Sequence, residues 1–216
     1  MTRTDLAAFD RAWDRFSGWL AKNSPADHAA LRPPATAQEI AALEARLGFP
    51  LHPELRALLE RHNGVAELRP THGPFQFQAG AFLPLGHRLN STERIAEEHA
   101  MLVEFGEDNL DSELWEEDEL NGHAHQWVTF AHPNDGGVAF VDHRPGPTYG
   151  HVYEMGIGSG EIEGTEWATG LGELFDRLAD ALEAGTPFLY YLPGFHEDPT
   201  GQRFVEWTVR VGAGAG

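Results

Sequence analysis

The sequence predicts an α+β fold in a single domain: N-terminal helices and a helical hairpin packed on a central, mostly antiparallel sheet, with a closing helix. Three observations carry this. Apolar residues recur at spacings of three and four through the first 62 residues. Alternating and short apolar runs separated by Gly-rich turns fill the middle of the chain. A last helical stripe then follows at Leu171, Leu174, Phe175, Leu178 and Leu182. Helices and strands come in blocks and do not alternate, which separates α+β from α/β. With 216 residues and 41% hydrophobic composition the chain can bury a substantial core.

Leu6, Phe9, Trp13, Phe16 and Leu20 mark one face of a first helix, closed by Asn23-Ser24-Pro25. Thr36 stands three residues before Glu39, the capping-box spacing, ahead of Ile40, Leu43 and Leu47. Gly48 suits a left-handed stop and Pro53 the first turn of a following helix that carries Leu55, Leu58 and Leu59. Residues 36–62 are therefore expected to form a helical hairpin with a five-residue joint, ended by Asn63-Gly64. Phe75 to Gln78 alternates as a half-buried strand, and Phe82 to Leu85 is expected to be a short second one. Asn90 is expected to open a helix with Glu93 at the capping-box position and Ile95, Leu102 and Phe105 inside. Leu110, Leu114 and Trp115 could anchor a further short helix. Gln126 to Phe130 and Val138 to Val141 predict a β-hairpin around Asn134-Asp135-Gly136-Gly137, and His151 to Met155 a third strand. The last helix stops at Gly185 and Pro187. Phe188 to Tyr191 and Phe204 to Trp207 fit strands or irregular covers, and Gly212 to Gly216 a flexible end.

Composition excludes several functions. Against 34 acidic residues stand 15 basic ones, a formal charge of -19, so a phosphate backbone or an anionic membrane is repelled and a basic partner is the natural complement. Cysteine is absent, which removes disulfides, zinc–thiolate sites and thiol nucleophiles. The N-terminus is too polar for a secretory signal, and no apolar run approaches the roughly 18 residues of a membrane span. A cytoplasmic protein is expected, with no cofactor.

The segment Thr36 to Gly64, TAQEIAALEARLGFPLHPELRALLERHNG, resembles the opening signature of the SUKH superfamily, which includes the Smi/Knr cell-wall regulators. Glu39, Leu43, Glu44, Leu47, Gly48, Leu51, Leu55, Leu58, Leu59, Asn63 and Gly64 carry the match; His52 stands where the pattern has proline. Downstream, Phe82 to Leu85 resembles the family's short strand after the hairpin, and WVTFAHPNDGGVAFVD (Trp127 to Asp142), Gly150-His151-Val152 and the helix Leu171 to Gly185 resemble later family elements in the same order. The resemblance spans roughly Pro34 to Gly185. It implies an N-terminal helix and linker over 1–33, a SUKH-like domain over 34–187 and a C-terminal extension over 188–216. It also implies a binding module without catalysis. Many bacterial members of this type look like immunity proteins that bind and block a cognate toxin, while others act as regulatory scaffolds on host proteins such as cell-wall assembly factors.

The acidic run EDNLDSELWEEDE is the leading candidate surface for a basic toxin domain or a host regulatory protein. Glu107, Asp108, Asp111, Glu113, Glu116, Glu117, Asp118 and Glu119 supply charge and Trp115 an aromatic anchor, with Asp135 and Asp142 added if the hairpin lies nearby. The plain alternative is a solvated face that maintains solubility. No EF-hand spacing is present. His123 and His125, at strand spacing, with His132, Asp135, Asp142, His143 and His151 near in sequence, allow a metal site to be drawn, and with it a metal-dependent enzyme as a further alternative. The plain reading of these residues is surface and turn histidine, and Asp142 is expected to cap the turn after its strand. No G-x-S-x-G elbow or phosphate loop occurs; Gly156 to Gly160 lacks both the spacing and the lysine.

Overall fold

The computed structural model describes residues 6–66, 79–112, 120–133, 137–156 and 164–209. The first apolar stripe becomes α1, Leu6–Asn23, which buries Phe9, Trp13, Phe16 and Leu20. Ser24-Pro25 ends it and starts a short helix that the sequence reading did not separate, α2, Pro25–Ala29. The hairpin forms as expected from α3, Ala37–Leu47, and α4, Pro53–Arg61. Thr36 and Glu39 make the full capping box, and Gly48 takes the left-handed conformation that stops α3.

The signature dipeptide Asn63-Gly64 locks this hairpin to the next helix. The Asn63 side chain accepts the Thr92 amide at 2.8 Å. A Cβ on Gly64 would lie 2.5 Å from the Ser91 nitrogen and 2.6 Å from the Asn90 carbonyl carbon, so only glycine permits this approach.

The expected strand at Phe75 to Gln78 lies outside the described residues. Phe82 to Leu85 is not a strand. Pro84–Gly86 forms a 3-10 turn with Leu85 at φ 58. Proline has no amide for a ladder, and a left-handed residue turns the chain out of it. Pairing begins instead at β1, Arg88–Leu89. This strand also delays the next helix. The Asn90 amide is still bonded to Phe130 in the sheet, so the cap falls to Ser91, whose hydroxyl accepts the Arg94 amide. The helix that follows, α5, Thr92–Asp111, runs without a break into the acidic segment.

The main sheet is an antiparallel meander in the order β1-β2-β3-β4-β5, with β2 Trp127–His132, β3 Val138–Asp142, β4 Val152–Met155 and β5 Thr165–Ala168. The predicted hairpin is β2–β3, paired Trp127 to Asp142 and Val128 to Val141; Asn134, Asp135 and Gly136 of its turn lie outside the described residues. Strand β5 was not foreseen, and its existence depends on pairing with β4. Alternation along the strands gives the sheet two apolar faces. Val128, Phe130, Val141 and Val152 join a large core with α1, α3, α4 and the closing helix α6, Leu171–Ala184. Trp127, Phe140, Tyr153 and Met155 form a smaller core with Leu102 of α5 and Ala124. The Trp127 and Phe140 rings stack there at 4.2 Å.

Helix α6 lies on α1, with Phe175 edge-on to Trp13 at 4.7 Å. Gly170 precedes α6 and has no side chain to cap it, so Glu54 of α4 accepts the Gly172 amide at 3.1 Å. The chain ends in a separate ribbon, β6 Tyr191–Glu197 and β7 Arg203–Val209. Of the two predicted tail segments, Phe204 to Trp207 lies within β7, while Phe188 and Tyr191 make a single bridge around left-handed Leu189. The stretch from Gly212 lies outside the described residues.

Both terminal segments enter the large core: Phe9 and Trp13 from one end, Phe204, Val205 and Trp207 from the other. Asp27 ties them together. Buried in α2, it accepts the Ser24 hydroxyl at 2.6 Å and the amides of Gly80 at 2.9 Å and Val205 at 2.8 Å. Burial raises its pKa against those bonds. Asp27→Ala leaves the two buried amides without their acceptor, while the Ser24 hydroxyl keeps the Arg203 carbonyl at 2.9 Å, and is expected to cost about 3 kcal/mol. Hydrogen exchange at Val205 and Gly80 should accelerate before the rest of the sheet responds; unchanged protection there would contradict this tie.

Candidate functional site

Helix α5 carries the most unbalanced surface of the described residues. Thr92, Ile95, Ala96, Glu98, His99, Leu102 and Gly106 turn inward. Glu93, Glu97, Glu104, Glu107, Asp108 and Asp111 are all exposed. At 100° per residue these six fall within one sector of about 100°. Met101 and Phe105 lie beside that sector, four residues apart, and are 56% and 39% exposed. Phe105 is thus outside the core, contrary to the expectation from sequence.

The distribution of arginines explains why this face stays negative. Arg15 binds Asp176, Asp180 and Glu183 across α1 and α6. Arg61 binds Asp10 and Asp14. Arg56 holds Glu44 and Glu60, and Arg177 and Arg203 pair with Glu173 and Glu197. Arg94, on α5 itself, turns to the buried Glu98 at 2.6 Å. No lysine or arginine occurs between Arg94 and Arg144. Among the described residues, none of the six exposed α5 carboxylates forms an ion pair.

Glu93 suits the first turn of α5, but the carboxylates at its other end oppose helix stability. The last turn of α5 contains no basic residue, while Glu107, Asp108 and Asp111 sit at the negative end of the helix dipole. Each such charge costs about 0.3–1 kcal/mol at the surface.

Of the residues singled out from sequence, Glu107, Asp108 and Asp111 lie on this face. Glu113, Trp115, Glu116, Glu117, Asp118, Glu119 and Asp135 lie outside the described residues. Asp142 is 0% exposed. Its carboxylate accepts the Arg144 amide at 2.8 Å and pairs with the Arg144 guanidinium at 2.8 Å. It caps the turn after β3, and a wholly buried carboxylate offers no surface to a partner. Sequence reasoning missed Glu93, Glu97, Glu104 and Met101. The available signal was the i, i+4 recurrence of Glu93 with Glu97, Glu104 with Asp108 and Glu107 with Asp111.

The histidines do not share a strand face. His123 and His125 lie in a 3-10 turn, Asn121–Gln126, with rings 6.0 Å apart. Asn121-Gly122 favours the turn and postpones β2 to Trp127. His132 bonds to Asn90, and His151 pairs with Glu166 at 3.2 Å. Among the described residues no group of three or more ligating side chains is placed to hold a metal. Ser159 lies outside the described residues.

His143 serves the hairpin joint. Its Nε2 accepts the His52 amide at 2.8 Å, so Nδ1 carries the proton and donates to the Val141 carbonyl at 2.9 Å. A proline at 52 could not donate that bond. The departure from the expected proline is therefore used: His52 caps α4 through Nδ1 and hooks the joint to β3. Its ring covers Gly150, where a Cβ would come within 2.4 Å of Nε2.

No helix of the described residues is long and apolar enough to cross a membrane. Residues 34–177, most of the chain, match the SMI1 / KNR4 family (SUKH-1). No curated protein matches the chain.

Proposed function

The chain belongs to the SMI1 / KNR4 family (SUKH-1), whose members are generally non-catalytic binders of protein partners, and from that premise we propose that it is an immunity protein that binds and neutralises a basic toxin domain. The observation that supports this is the unpaired acidic face of α5. Met101 and Phe105 supply apolar anchors along one edge, and Glu97, Glu104, Glu107, Asp108 and Asp111 supply the charged strip beside them. Exposed apolar side chains next to a charged strip are what a protein interface combines. A cationic groove built to hold phosphates is its electrostatic complement. The proposal extends to Glu113, Trp115, Glu116, Glu117, Asp118 and Glu119 on the grounds of their charge and sequence alone.

The test is rescue. Each neighbouring gene product is expressed alone in a bacterial host and then with this protein. One of them should arrest growth and be relieved by co-expression; if none is toxic, the immunity reading fails and a host-protein scaffold replaces it.

The triple variant Glu104→Gln/Glu107→Gln/Asp108→Asn separates binding from folding. Removing charge near the helix C-terminus should stabilise the protein by up to about 1 kcal/mol. The association rate with the basic partner should fall about tenfold, and its salt dependence should flatten. Stopped-flow binding at two ionic strengths with thermal unfolding checks both signs. A variant that binds at the native rate would remove α5 from the interface.

A further inference from the structure

A groove of about 550 Å³ runs along the other flank of α5, and its walls are specific. Leu47 and Phe49 form the α3 side and Ala96, His99, Ala100 and Val103 the α5 side, and His125 and Gln126 complete the lining. The small Ala96 and Ala100 let another chain approach the α5 backbone closely. Phe49 is held edge-on to His99 at 6.0 Å and tilted against His143 at 5.4 Å. The His99 Nε2 is already bonded to the His125 carbonyl at 3.1 Å. Burial keeps His99 below its ordinary pKa, so it adds no positive charge at neutral pH.

The rim on the α5 side is acidic. Glu97 and Glu104 lie three residues before and four after Ala100, and Glu107 lies four after Val103, each on the same strip of helix surface. Arg46 is the one lysine or arginine among the lining residues, on the α3 side. The groove thus has apolar walls at Leu47, Phe49, Ala96, Ala100 and Val103, polar groups at His99, His125 and Gln126, a negative edge on one side and a single positive point on the other.

We infer that this groove receives a large apolar side chain from a basic amphipathic segment of the protein partner, whose lysines or arginines lie along Glu97, Glu104 and Glu107. This rests on the reading of the α5 face as the partner surface and adds what the partner inserts beside it. The volume accommodates an aromatic ring, whose burial is worth a tenfold or greater gain in affinity.

The probe is a fluorescein-labelled, 15-residue helical peptide of lysine and alanine with one central tryptophan. Its two controls carry alanine for the tryptophan and glutamate for every lysine. By fluorescence anisotropy the tryptophan peptide should bind at least about tenfold more tightly than its alanine control. That difference should vanish in an Ala100→Trp variant, which fills the groove and keeps every carboxylate. Equal binding of the tryptophan and alanine peptides to the native protein, or no binding of either, overturns the groove inference without any protein variant. If that equal binding is weakened by Glu104→Gln/Glu107→Gln/Asp108→Asn, the acidic-face reading survives alone. If the glutamate peptide binds as well as the lysine peptide, both fail.

Discussion

Gly64→Ala is expected to destabilise the protein by roughly 4 kcal/mol or more, close to the upper end for a single substitution. Gly48→Ala should cost only about 1–2 kcal/mol. Both glycines are left-handed, at φ 72 and φ 85. A Cβ at Gly48 would meet nothing within 4 Å, so its substitution reports the conformational penalty alone. At Gly64 the same penalty is joined by approaches of 2.5 Å and 2.6 Å to the backbone of Ser91 and Asn90. Backbone cannot rotate away as a side chain can. Relief requires moving the α4 terminus from the start of α5, which breaks the 2.8 Å bond from the Thr92 amide to Asn63. Urea unfolding of the two variants gives the comparison directly, with m-values unchanged if both remain two-state. Equal losses would mean that the Asn-Gly step is an ordinary helix stop and not a lock between helices. Because α5 carries the proposed interface, the alanine variant should also lose partner binding in proportion to its unfolded fraction.

The parts of this fold legible in sequence are those decided by neighbours in the chain. The α3–α4 hairpin is one: capping box, left-handed glycine and first-turn proline all act within four residues, and each is observed. The parts that were misplaced depend on distant partners. Asn90 has the chemistry of a helix cap, but its amide is held by Phe130, forty residues on, and the cap moves to Ser91. β1 has two residues and β5 four, and neither has a pattern strong enough to declare itself without the strand beside it. The same division applies to the candidate site. Acidic residues were visible everywhere in the sequence. Which of them stay unpaired is a long-range fact, set by Arg15, Arg56 and Arg61 reaching across helices to Asp176, Asp180, Glu183, Glu44, Asp10 and Asp14. The sequence suggested a further short helix anchored by Leu110, Leu114 and Trp115, yet Leu110 belongs to α5, which continues to Asp111. The backbone continues because charge alone does not stop a helix, and so the acidic face is longer than the acidic run.

Acidification should unfold this protein well before its surface carboxylates are neutralised. Three buried histidines contribute most, and His62, His99 and His123, which burial also lowers, act in the same sense. Burial pushes His52, His87 and His143 down to about 4 from an ordinary 6.5. Geometry gives the reason in two cases. Both nitrogens of His143 are committed in the neutral form, one accepting from His52 and one donating to Val141. The His87 Nδ1 donates to the Pro84 carbonyl at 2.8 Å while Nε2, buried, meets no partner among the described residues. A second proton on either ring would be buried without an acceptor. A depressed pKa means that the unfolded chain binds the proton first. The stability these rings contribute is therefore complete above about pH 6.5 and is lost as pH falls from there toward 4. Near pH 5 unfolding should take up between two and three protons from these sites, a slope of about 3–4 kcal/mol per pH unit. Asp27 and Glu54 act in the opposite sense, since burial raises both; they favour the folded state as pH falls, nearer the carboxylate range, and so soften the lower end of the transition. Urea midpoints at pH 7, 6 and 5 should fall steeply. His143→Gln should start lower, because the His52 amide loses its acceptor geometry, but descend on a slope about one-third shallower. A midpoint that stays level from pH 7 to pH 5 would mean that these rings are not held neutral. The joint between α3 and α4 would then owe its position to packing alone and not to the bond between His52 and His143.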